Sequence, residues 1–113
     1  MDALMQFVTI NSPVETGAIT LNFHHVKKSA LILRAINHKL RQQLIRLIDE
    51  NERMTVTEMF SQLRLEQSVV SQHLAILRRA KIVTTEKESK FVFYSLNYKR
   101  LKEITGFVEG LVV

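Results

Sequence analysis

The periodicity of the chain changes abruptly between Val69 and Asn97, in the segment VVSQHLAILRRAKIVTTEKESKFVFYSLN. Apolar residues first recur every three or four positions, as on one face of a helix, and then alternate every second position, as on a strand. The segment therefore reads as a helix with a thin polar face, a short link and a two-stranded hairpin that carries lysines. A helix of this kind suits the major groove of duplex DNA, and a basic hairpin beside it suits the backbone. The expected arrangement is a helix-turn-helix followed by a wing.

The rest of the chain can be ordered around that segment. Residues 1–20 keep no sustained period and contain Pro13 and Gly17, so they are read as an N-terminal arm, with a short helix near Ala3–Phe7. From Asn22, the residues Phe23, Val26, Ala30, Leu33 and Ile36 form one apolar stripe of a first long helix. Asn37-His38 interrupts it. Leu40, Leu44, Leu47 and Ile48 define a second helix, with Arg41 and Arg46 outside its stripe. A short third helix follows, with Met59, Phe60 and Leu63 facing inward. It opens on Thr55 and Glu58, spaced as a capping box, although Thr57 could also serve as the cap. Arg64-Leu65-Glu66 makes a turn into the fourth helix, about Gln67–Ala80, which docks through Val70, Leu74 and Leu77.

The wing strands are expected at about Val83–Lys87 and Lys90–Leu96, joined at Glu88-Ser89, and a last helix at about Tyr98–Leu111. The fold class is mainly α with a β hairpin (α+β): a winged helix-turn-helix of order α-α-α-α-β-β-α, working as a dimer. Residues 21–113 would form one domain for DNA binding and dimerisation.

Charge follows the same division. Residues 1–66 carry a net +1, residues 67–102 carry +6 with only Glu86 and Glu88 as acids, and residues 103–113 carry −2. Cations gathered on the fourth helix, the hairpin and the following turn are the footprint of a polyanion site. Gln67, Ser68, Ser71 and Gln72 lie opposite the docking face in the first two turns of the fourth helix, and their side chains match base edges. Arg78, Arg79 and Lys81 at its far end suit phosphates, as do Lys87 and Lys90 around the wing loop. His73 could reach a phosphate or pack beside Leu74.

Several classes are excluded. The chain has no cysteine, which removes disulfides, thiolate metal sites and thiol redox switches. No apolar run approaches the roughly 18 residues of a membrane span, and no signal-like stretch begins the chain, so a cytoplasmic protein is expected. No nucleophile, phosphate-loop or metalloprotease pattern occurs, which argues against an enzyme.

Taken together, these motifs resemble the ArsR/SmtB family of winged-helix repressors over about Asn22 to Leu111. SVVSQHLAILRRAKIV is similar to the family pattern S-x-V-S-x-H-L-x-x-L-R-x-A-G-L-V. NHKLRQQLIRLI resembles its D-P-x-R-L-x-I-L segment, MTVTEMFSQL its V-x-E-L-A helix, and FVFYSLN its aromatic wing strand. Two positions depart from the pattern. Glu66 replaces the usual Ser before the reading helix and is a poorer cap. Lys81 replaces the usual Gly after it, where a left-handed turn would be strained.

The resemblance implies a transcriptional regulator, a repressor, that binds a pseudo-palindromic operator in double-stranded DNA as a homodimer. The dimer is expected to form through Phe23, Val26, Ala30 and Leu33 on the first long helix and through Leu101, Ile104, Phe107, Val108 and Leu111 on the last. The family's metal sites are not matched. Thr55 and Thr57 stand where its cysteine pair would be, and the last helix has no His or Asp. Adjacent His24 and His25 point about 100° apart on a helix and do not chelate from one face. No metal or cofactor is expected, and any inducer is unidentified. The alternative from another class is a winged helix used as a protein-interaction module. Such modules usually lose the positive charge that is concentrated here.

Overall fold

The computed structural model describes residues 6–14 and 17–113, and these divide into two compact units, Met1–Arg34 and Ala35–Val113.

The first unit begins with an antiparallel hairpin of β1 (Phe7–Asn11) and β2 (Ala18–Asn22). This corrects the expected arm. Phe7 opens a strand, so no helix reaches it, and the remainder of the helix expected near Ala3–Phe7 lies outside the described residues. The physical cause is a short alternation. Val8, Thr9 and Ile10 pair with Leu21, Thr20 and Ile19, and β-branched residues favour the pleated conformation. Five residues per strand are too few for the period to stand out in a longer window. Helix α1 (Phe23–Ile36) follows β2 with no linker. The Asn22 Oδ1 accepts the His25 N–H at 3.1 Å, and the Phe23 N–H donates to the Gln6 carbonyl at 2.8 Å. Both bonds hold the start of the helix to the hairpin.

The second unit takes up the chain at Ala35 and contains α2 (Lys39–Asn51), β3 (Arg53–Met54), α3 (Val56–Leu63), α4 (Gln67–Arg79), β4 (Val83–Glu88), β5 (Phe91–Leu96) and α5 (Tyr98–Val112). The helices and wing keep the expected order. β3 was not expected, and it completes a three-stranded sheet of order β3-β5-β4. Its two residues pair with Ser95 and Tyr94, and a strand that short has no period to read. Leu44, Ile48, Met54, Met59, Val70, Leu74, Leu77, Ile82 and Val83 form the core, all nearly inaccessible to water.

Local chemistry sets the helix ends. Thr55 caps α3 in a full capping box, its Oγ1 accepting the Glu58 N–H while the Glu58 carboxylate accepts the Thr55 N–H. Glu66 makes no side-chain cap on α4. Lys81 takes the left-handed conformation, φ 63°, at the position where the resembled pattern carries glycine. A non-glycine residue there is strained. The wing turn differs from expectation by one residue. Glu88 is the last paired residue, opposite Phe91, and the loop is Ser89-Lys90, with Ser89 left-handed at φ 57°.

Candidate nucleic-acid interface

The α3–α4 pair is joined by Arg64, Leu65 and Glu66. Arg64 is left-handed, and the Leu65 N–H returns to the Phe60 carbonyl at 3.0 Å. This closes α3 and lets α4 start in a new direction. Val70, Leu74 and Leu77 of α4 are fully buried, so the helix cannot rotate about its axis. That anchorage decides which side chains face water. Gln67, Ser68 and Gln72 are exposed and Ser71 is half-buried. Ala75 and Arg79 extend the same exposed face. Ala75 was not singled out from the sequence. It reads as a neutral helix former, and only its place one turn beyond Ser71 and Gln72 puts it in line with them.

Arg78, Arg79, Lys81, Lys87 and Lys90 are all exposed. The Arg79 Nε donates back to the Ala75 carbonyl at 3.4 Å, which lays that side chain along α4. The wing is braced from β3. Arg53 forms an ion pair with Glu88, and its guanidinium sits 4.0 Å above the Phe93 ring. The Lys90 ammonium lies 5.5 Å from the Phe91 ring centre.

His73 lies in a polar cluster and not among the exposed cations. Arg41, which the sequence placed outside the apolar stripe of α2, is buried, only 7% accessible. The correction has a simple geometric reason: Arg41, Leu44 and Ile48 follow helical spacing and share one face. Arg46 is exposed. The Arg41 Nε donates to the Ala35 carbonyl at 2.6 Å, and one terminal NH₂ lies 3.1 Å from His73 Nδ1. A guanidinium only donates, so His73 Nδ1 accepts and the ring is neutral with its proton on Nε2. The His38 ring stands 4.6 Å from the His73 ring, centre to centre, and its Nδ1 accepts the Leu40 N–H at 3.1 Å as the cap of α2. Burial, then the neighbouring His38, then Arg41 hold the His73 pKa below its ordinary value. The cluster ties α4 to the start of α2.

The residues expected to dimerise are poorly covered. In α1, Val26 and Ala30 are exposed and Phe23 and Leu33 half-buried. No residue of α5 is buried: Phe107 and Leu111 are exposed, and Leu101, Ile104 and Val108 are half-buried. The N-terminus of α5 is secured by the Tyr98 hydroxyl, which donates to Asp49 at 2.7 Å, and by Arg100 Nε, which donates to the Ala80 carbonyl at 3.1 Å. The bond to Asp49 raises the Tyr98 pKa above its ordinary value.

Among the described residues, no three His, Cys, Asp or Glu side chains gather closely enough to hold a metal ion. Thr55 is committed to its capping box. No helix among them is long and apolar enough to cross a membrane.

A helix-turn-helix pinned by its core face, with a braced basic wing beside it, defines a winged-helix DNA-binding module. Residues 38–85 match the family model described as "Bacterial regulatory protein, arsR family". The chain is 41% identical over 84 residues to the transcriptional activator HlyU of Vibrio cholerae serotype O1, covering 74% of this chain and 77% of that protein. It is 32% identical over 89 residues to the biofilm growth-associated repressor of Agrobacterium fabrum, covering 77% and 75% of the two chains. The solved structure of HlyU from Vibrio cholerae N16961 superposes with a TM-score of 0.61 at 34% identity, over 78% of this chain and 95% of that one. The protein belongs to the ArsR family and is a DNA-binding transcriptional regulator.

Proposed function

We propose that the protein is a cytoplasmic, homodimeric repressor that recognises a pseudo-palindromic operator. The observation that carries this reading is the division of α4 and its surroundings. An uncharged polar face, Gln67, Ser68, Ser71 and Gln72, stands opposite a fully buried anchor, and five exposed cations follow it, at Arg78, Arg79, Lys81, Lys87 and Lys90. Short polar groups on a fixed helix can discriminate base edges, whereas cations on the flanks add affinity without sequence preference. Two such helices in a symmetric dimer enter successive major grooves about 34 Å apart. The apolar faces of α1 and α5 support the dimer, because a symmetric pairing is the usual way to close such surfaces. We assign it no enzymatic activity and no metal signal.

The test is selection of bound duplexes from a random pool, followed by a salt titration on the selected site. Gln72→Ala should cost about 1–3 kcal/mol on that site and relax the preference at the base pair it reads. Arg79→Ala should weaken all sequences alike and reduce the salt slope by about one unit. An unchanged consensus and affinity for Gln72→Ala would place the reading face elsewhere. Equal affinity for selected and scrambled duplexes would remove sequence-specific recognition altogether.

A further inference from the structure

Among the described residues, the first unit shows no buried core. None of its described residues, up to Arg34, is buried, yet one face of its hairpin is wholly aliphatic at its centre. The register puts Val8 opposite Leu21 and Ile10 opposite Ile19. Because side chains alternate along a strand, these four aliphatic residues share one face. Thr9, Thr20, Asn11 and Asn22 lie on the other, with Phe7 and Ala18 at its two ends, and the Thr9 and Thr20 hydroxyls there are 3.3 Å apart. The aliphatic face is open to water: Ile10 is 46% accessible, Ile19 49% and Leu21 40%. An isolated two-stranded hairpin is marginal in water and needs its apolar face covered.

We infer that a second copy of this chain covers this face, so that the β1–β2 hairpin extends the dimer interface. The inference rests on the homodimer proposed above and adds a surface to it. Three observations favour a second copy over another occupant. The first is continuity. β2 passes into α1 without a linker, and the Phe23–Gln6 and His25–Asn22 hydrogen bonds hold the helix start to the hairpin. If α1 enters the dimer, the hairpin is carried with it. The second is chemistry. No residue of either strand carries a charge, and the aliphatic face offers no group to a phosphate or a charged peptide, so the occupant of that face is apolar. The third is supply. The same chain leaves Val26, Leu31, Phe107, Leu111 and Val112 exposed, and regulators of this family bind DNA typically as dimers. The hairpin precedes residues 38–85, the part that matches the family model.

The experiment is sedimentation equilibrium of the full chain over a concentration series, for the parent and three variants. Ile10→Glu/Ile19→Glu places charge on the aliphatic face and should raise the dimer Kd at least tenfold. Thr9→Lys/Thr20→Glu places an opposite-charge pair across the polar face, where cross-strand attraction favours the hairpin, and should leave Kd within threefold of the parent. Phe107→Glu tests α5 separately and should weaken the dimer whether or not the hairpin takes part. A parent dimer that the Ile10/Ile19 variant leaves unchanged overturns the hairpin inference and spares the dimer. Equal weakening by the Ile10/Ile19 and Thr9/Thr20 variants also overturns it, because the effect would not follow the face. A parent that is monomeric at every concentration overturns both the inference and the homodimer beneath it.

Discussion

The protein contains two antiparallel hairpins of similar size with opposite fates. The wing, β4–β5, is joined by β3 into a sheet whose roots, Val83 and Leu96, are buried in the core. Its tip carries Lys87, Glu88 and Lys90. The N-terminal hairpin, β1–β2, has no buried residue and no described charge. The wing is held by its root and is free to present charge at its tip. The strands of the N-terminal hairpin carry aliphatic side chains in place of charged ones, and Ile10, Ile19 and Leu21 are left exposed. A hairpin supported by a core can spend its surface on a charged ligand, whereas one that lacks such support is suited to an apolar partner. Two-residue and six-residue loops reinforce the contrast: the wing turns through Ser89-Lys90, while residues 12–17 separate β1 from β2.

The sharpest way to break this comparison is to remove one aliphatic side chain from each hairpin. Leu96→Ala should destabilise the protein by about 2–5 kcal/mol, the usual result of emptying a core site. Ile19→Ala, measured at concentrations low enough for monomer, should fall within about 0.5 kcal/mol of the parent, as exposed sites do. Urea denaturation of both variants gives the two values. Similar losses would mean that the N-terminal hairpin is already supported within one chain.

A second contrast is electrostatic. Lys87→Ala/Lys90→Ala should weaken DNA binding across all sequences and lower the salt slope by about 0.9 for each phosphate that is no longer neutralised. Thr9→Lys/Thr20→Glu, which adds charges to the other hairpin without changing the net charge, should leave the slope unaltered. Fluorescence anisotropy at several salt concentrations separates the two. A slope that responds to the Thr9/Thr20 pair would bring the N-terminal hairpin to the DNA.

The helix-turn-helix should also respond to pH through His73, whereas the strands of the N-terminal hairpin carry no titratable group. Burial disfavours a charged His73 ring, and protonation would also set a charge beside His38 and Arg41 and remove the acceptor of Arg41, so the folded protein takes up that proton less readily than the unfolded chain does. The unfolded chain therefore binds it first, as pH falls below about 6.5. Stability is lost from there down to the lowered pKa of folded His73, and the loss from this group is complete below it. Thermal unfolding followed between pH 7.5 and 5, chosen on the order of one unit or more around that value, should show a falling midpoint. His73→Gln should flatten that part of the profile. An identical profile for parent and variant would show that His73 titrates in the same way in both states.

The smallest expected effect is at the wing brace. Arg53 and Glu88 are both about half-exposed, and exposed pairs contribute about 0–1 kcal/mol. Arg53→Ala should therefore change stability by no more than about 1 kcal/mol, with the stacking on Phe93 included in that loss. A larger change in a denaturation midpoint would make β3 a principal support of the wing.

How much of this was legible in the sequence depended on segment length and on what each residue touches. The helices and wing were readable because their apolar residues repeat often enough to reveal a period. The capping box was readable because Thr55 and Glu58 act within one turn. The strain position at Lys81 was readable from the glycine expected there. The N-terminal hairpin and β3 were not, since five residues and two residues hold too few repeats. The burial of Arg41 is hidden from the sequence for a different reason. An arginine reads as a surface residue until the chain supplies the Ala35 carbonyl and His73 as partners, and His73 is 32 residues away.

The sequence by itself therefore determined the winged helix-turn-helix, the polar face of α4, the basic flank and the absence of thiol chemistry. Each depends on composition or on neighbours within a few turns. Only the tertiary structure decided that Arg41 is buried, that His73 is held neutral against it, that β3 braces the wing through Arg53, and that the aliphatic face of β1–β2 is left uncovered. Those outcomes depend on which distant groups meet, because burial and hydrogen-bond partnership belong to the packed chain and not to any single segment of it.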